Sequence, residues 1–201
     1  MTTLAATPAP TYPVRALFAP PQKQSRLSVF FRILIAIPAF IVLALVAIAS
    51  FVVTFVAWFI ILITGRFPAG MFRFCAGAHR WSLRVQAYLY LMTDKYPPFS
   101  LDDDLNYPVR FLADDDTTGR NRLTVFFRII LAIPHAIIVG LLSYAARAVA
   151  FVCWLVALFA GSVPDGLHNF LAGYLRWSIR LQAYEGLITD KYPPFSMSDT
   201  A

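Results

Sequence analysis

The sequence is short of charge. Of its 201 residues only 14% are Asp, Glu, Lys or Arg, and between Arg32 and Arg66 there is none. An ordinary soluble domain carries roughly a quarter of its residues as charges, so a water-exposed fold of this length would lack the polar surface to cover itself. That scarcity excludes a cytosolic enzyme, a disordered tail and a nucleic-acid reader. Cysteine is scarce too: Cys75 and Cys153 give neither a disulfide pattern nor a metal motif. His79, His135 and His168 lack an i, i+4 partner, and no GxSxG, Walker A, GxGxxG or HExxH pattern occurs. No cofactor, metal or catalytic residue is therefore assigned. The first 24 residues, rich in Thr, Ala and Pro, hold no apolar run with a cleavage site and read as a mobile tail.

What the sequence has in plenty is apolar side chain, at 59%, with a mean hydropathy of +0.64. It also repeats itself. Residues 26–100 align with 122–196 at a constant offset of 96, without a gap, giving 40 identities in 75 positions. RLSVFFRILIAIP faces RLTVFFRIILAIP, RWSLRVQAY faces RWSIRLQAY, and TDKYPPFS recurs unchanged. YPVR precedes each copy, at Tyr12 to Arg15 and Tyr107 to Arg110. The organisation is a tail over 1–24 with the first YPVR, a membrane repeat over 25–101, an acidic linker over 102–121 with the second YPVR, and a second repeat over 122–201.

A straight helix over the uncharged stretch of copy one would be about 50 Å long, against a hydrocarbon core of ~30 Å. A hairpin turning near Ala49 and Ser50 shortens it, and Arg147 at the equivalent turn of copy two would reach the interface rather than bilayer centre. Arginines on both flanks favour the hairpin, which returns them to one side. The alternative is a single tilted helix kinked at Pro38, with the following Arg-bearing segment crossing back. The expected fold is thus an all-α integral membrane protein with two tandem hairpins, each followed by an interfacial helix, and with short extended YPVR segments. An even number of crossings places both termini and the linker in the cytoplasm, in a multi-pass protein of the plasma (inner) membrane.

Gly70 to Thr93 and its twin Gly166 to Thr189 lack proline and open after Pro68 and Pro164, as helices do. At 100° per residue Arg73, Arg80 and Arg84 share one arc, repeated by Arg176 and Arg180. Arginine forks bind phosphate in a bidentate manner, so these five are the candidate contacts to anionic phospholipid headgroups. Asp94 and Asp190 form a candidate polar cluster at the helix ends. The Asp102 to Asp104 and Asp114 to Asp116 triplets read as a solvated linker.

FR…IP, W…G…P.G, G..RW..R..AY..L.TD.YPPFS and the preceding YPVR resemble the bacterial membrane family called domain of unknown function 4389. The resemblance spans both copies and implies an integral membrane protein without an established activity. The family pattern favours IPH, which His135 fits and Ala39 does not. It also favours TGR.P.G, which Thr64, Gly65, Arg66, Pro68 and Gly70 fit, while Ala160, Ser162 and Val163 depart. The expected function is a non-catalytic membrane module, an accessory subunit or lipid-binding scaffold, with a membrane-protein partner or a second copy as candidate associates. A small transporter or channel framed by the two repeats is the alternative, and a membrane-embedded lipid-modifying enzyme the third reading.

Overall fold

The computed structural model describes residues 12–114, 117 and 119–198. Two 39-residue helices, α1 (Arg26–Thr64) and α3 (Arg122–Ala160), are each followed by a 21-residue helix, α2 (Ala69–Leu89) and α4 (Asp165–Glu185). Strand β1 (Val14–Phe18) precedes α1, and β2 (Val109–Ala113) precedes α3. The fold is therefore mostly helical, and the YPVR segments are extended but paired into a small sheet. Residues 1–11 of the expected tail, and Asp115 and Asp116 of the second acidic triplet, lie outside the described residues.

Local chemistry sets the helix limits. Ser25 and Asn121 cap the long helices, their side-chain oxygens accepting from Ser28 N–H and from Leu123 and Thr124 N–H. Gly65 and Gly161 end them in the left-handed region, at φ 71 and 74, where a Cβ would be strained. Pro38 and Pro134 each delete one backbone donor, yet the helix continues through both. The hairpin expectation is accordingly corrected. Each long apolar stretch lies within one unbroken 39-residue helix about 58 Å long, because nothing near Ala49 and Ser50 supplies a stop. Arg147, expected at a turn, sits mid-helix with Nη2 donating to Ser143 Oγ at 2.8 Å. The shorter helices stop before Thr93 and Thr189. Leu91 and Leu187, at φ 57 and 64, reverse the chain while Met92 N–H returns to Ala87 O and Ile188 N–H to Ala183 O.

The long helices run antiparallel. Trp58 Nε1 donates to Val125 O at 3.0 Å and Trp154 Nε1 to Val29 O at 2.9 Å, so the end of each helix meets the start of the other. The strands pair antiparallel with Ala16 opposite Phe111. Each strand serves the other copy: β1 packs on α4 and β2 on α2, with Tyr12 Oη donating to Lys191 O and Tyr107 Oη to Lys95 O. The two copies are therefore interlocked rather than strung in series. Among the described residues neither strand touches α1 or α3, which makes three layers: long helices, short helices, sheet. The long-helix layer buries only a narrow stripe, including Val29, Ala36, Ala57 and Ile61. Most of its remaining surface is apolar and bare, with Ile33 71%, Phe51 72%, Ile129 81% and Phe159 74% exposed, and Arg26, Arg122 and the mid-helix Arg147 are the charges exposed on it.

Candidate functional site

At the junction of α1 and α2 an arginine and an aspartate bridge two helix ends. Arg32 Nη1 donates to the carbonyls of Tyr88 and Thr93, and Nη2 donates to Gln24 Oε1 at 2.8 Å and Asp94 Oδ1 at 3.1 Å. Asp94 in turn accepts from Ser25 N–H at 3.0 Å and from the Ser28 hydroxyl. The cation thus meets the negative end of α2 and the carboxylate the positive start of α1, the favourable sense at both. Copy two repeats the arrangement. Arg128 reaches the Tyr184 and Thr189 carbonyls and Asp190, while Asp190 accepts from Asn121 N–H at 2.9 Å. One position differs: Arg120 stands where copy one has Gln24, and donates to Asp190 at 3.2 Å and Ile188 O at 2.9 Å.

The expected arginine stripe mostly faces inward. Arg84, with no exposed surface, donates to Ser100 O at 3.2 Å and Asp102 O at 2.8 Å. Arg180, 1% exposed, makes the matching contacts to Ser196 O and Ser198 O. Arg80 donates to Leu101 O at 2.7 Å, and Arg176 to Ala16 O at 3.3 Å with its guanidinium over the Phe18 ring. Arg73 alone of the five is exposed. Two of the five headgroup candidates, Arg84 and Arg180, are thus buried, and their forks hold the chain that folds back after YPPFS. Gly77 and Gly173 allow that return: a Cβ there would come within 2.8 Å of Leu101 and 3.0 Å of Met197.

Sequence reasoning singled out Asp94 and Asp190 but took Arg32 as flanking charge and did not weigh Arg128. Their identity in the repeated FR…IP segment was the available signal, since a purely topological charge need not keep its register. His135 has a local role as well. It lies fully buried, with Nδ1 3.0 Å from Tyr192 Oη and its ring against Phe195, so the IPH sequence packs on YPPF of its own copy.

These contacts define a duplicated helical module whose repeated motif residues engage one another. The chain belongs to the family described as domain of unknown function (DUF4389), whose model matches residues 26–100 and 122–197. Both matched segments coincide with the repeats and leave the exchanged strands outside. No curated protein and no solved structure matches the chain.

Proposed function

We propose that the chain is a non-catalytic membrane module, a scaffold or accessory subunit, that embeds the α1 and α3 face in one leaflet with both long helices lying along the membrane plane. One observation carries this reading: the charged sheet lies over the middle of the long helices, on the side away from their bare apolar faces. Phe111 of β2 stacks on His79 of α2, 6.2 Å between centroids, and His79 shares a cavity wall with Ala47 and Ser50 at the midpoint of α1. Helices set across the bilayer would carry Arg15, the Arg110–Asp103 pair and two unpaired strand edges to mid-depth. Hydrocarbon does not tolerate open sheet edges, and a charge there costs at least ~2.5 kcal/mol. Lying flat, a helix about 10 Å across fits within one leaflet. Linker, sheet and both TDKYPPFS segments then stay on one side without any crossing. Anionic headgroups would be met by the exposed Arg26, Arg66, Arg73 and Arg122.

Depth measurement tests it. Spin labels on single cysteines at Leu34, Ile48 and Phe59, in a Cys75→Ala and Cys153→Ala background in liposomes, report accessibility to oxygen against a water-soluble nickel chelate. Similar depths at all three support the flat arrangement. A label at Ile48 far deeper than the other two, with the ends on opposite sides, would replace it by a spanning one.

A further inference from the structure

The two copies differ in how they fill the space between the long and short helices. Between α1, α2 and α4 lies a cavity of about 330 Å³. Its wall includes Ser50, Thr54, His79, Ser82, Gln182 and Glu185. In the twin location Tyr90 and Tyr174 meet with ring centroids 5.7 Å apart and fill the space. The residues equivalent to those tyrosines are Gly186 and Ala78, which leave it open. The polar lining is equally one-sided: Ser50, Thr54, His79 and Glu185 stand where the other copy has Ala146, Ala150, Leu175 and Leu89.

His79 occupies the space that a side chain at Gly186 would take. The imidazole sits with Nδ1 2.8 Å from Cys75 O and Nε2 3.0 Å from Gln182 O, and a Cβ at residue 186 would fall 2.5 Å from its Cε1. Glu185 also borders a second cavity of about 330 Å³, walled by Phe51, Phe55, Trp58 and Ile129. The symmetric cavity around Ile33, Leu89, Phe151 and Trp154 has no carboxylate. Arg128, on the second cavity's wall, is already matched by Asp190. An exposed carboxylate where two largely apolar grooves meet, one of them with the Ser50, Thr54 and Ser82 hydroxyls on its wall, suits a ligand that has a cation at one end and hydrocarbon at the other.

We propose that the paired cavities bind a membrane amphiphile with a primary ammonium head, seated on Glu185 beside Ser50 and Thr54, with its tail along Phe55 and Trp58. The ligand's source, the bilayer, rests on the membrane reading above. The binding test runs in detergent, so its failure would leave that reading standing and the depth test decides the other separately. The probe is 12-bromododecylamine, whose bromine quenches tryptophan on contact. Wild type should show saturable quenching that disappears in Trp58→Phe and persists in Trp154→Phe. Glu185→Leu installs the residue its twin copy carries at Leu89, and should raise the half-saturating concentration at least tenfold. Ala78→Tyr should restore the plug and abolish saturation with Glu185 intact. Size-exclusion profiles and melting confirm folding, and Glu185→Gln repeats the test if either variant fails to fold. Equal quenching by 12-bromododecanol, or an unchanged curve in Glu185→Leu, would overturn the ammonium site. Displacement by ethanolamine alone at matched concentration would overturn the need for a tail.

Discussion

Arg32 and Asp94 meet at 3.1 Å where α1 begins and α2 ends, and the arginine is all but buried there, its side chain 3% exposed. Breaking such a pair by removing one partner costs roughly 3–5 kcal/mol, because the other charge is left behind. The two copies should respond in opposite order. In copy one Asp94 has a single arginine, whereas in copy two Asp190 has Arg120 and Arg128. Arg32→Gln should therefore lower the melting temperature more than Arg128→Gln, since only the first strands its carboxylate. Asp190→Asn should cost more than Asp94→Asn, since it strands two cations. Fluorescence size-exclusion melting of the four variants checks this, and equal losses within each pair would refute the charge bookkeeping.

The crossed tryptophans are a second test. Trp58→Phe and Trp154→Phe keep a ring in place but lose the indole donor to Val125 O and Val29 O. Each should cost about 1 kcal/mol, the net worth of one hydrogen bond. The bonds lie at opposite ends of the α1–α3 pair, so the double variant should show the sum. A double variant no worse than either single one would mean that α1 and α3 are not clamped at both ends.

Glu185 makes stability depend on pH. Glu185 keeps exposed surface, yet desolvation beside the two cavities holds its carboxyl above the ordinary carboxylate range. The folded state therefore binds that proton more tightly than the unfolded chain, and its contribution to stability falls as pH rises from the ordinary carboxylate value through the raised one. Glu185→Gln should remove this slope. Melting at pH 4.5, 6 and 7.5 should show the variant gaining on wild type as pH increases, and parallel curves would argue against the shift.

Much of this architecture was legible because the chain is written twice. The repeat boundaries, the extended YPVR segments and the helices after Pro68 and Pro164 follow from composition, spacing and breakers. The turn expected near Ala49 does not form, since α1 meets no breaker there and continues to Thr64. The helix limits are set by Ser25, Gly65, Asn121 and Gly161, cap residues that the length argument did not weigh. The exchange of strands between copies left no trace in sequence order, because Tyr12 and Tyr107 find partners 179 and 12 residues away. The arginine periodicity was real, but a helical wheel gives an arc without saying what covers it. The segment covering Arg84 and Arg180 comes from beyond the helix, through a proline-rich return.

That return supplies the last prediction. Arg84 uses two nitrogens on the carbonyls of Ser100 and Asp102, and Arg180 uses two on those of Ser196 and Ser198. A lysine carries the same charge on a single nitrogen, so it cannot span both carbonyls from a buried position. Hydrogen bonds to charged groups contribute about 1.5–3 kcal/mol, and Arg84→Lys should release the chain around residues 98–104 by an amount of that order. Arg180→Lys should do the same around 194–198. Hydrogen exchange should therefore speed up in the matching segment at least tenfold, while α1 and α3 keep their protection. Copurifying anionic lipid, quantified by mass spectrometry, should not change, because neither guanidinium reaches the surface. If lipid enrichment fell while exchange stayed slow, the two arginines would be headgroup ligands after all.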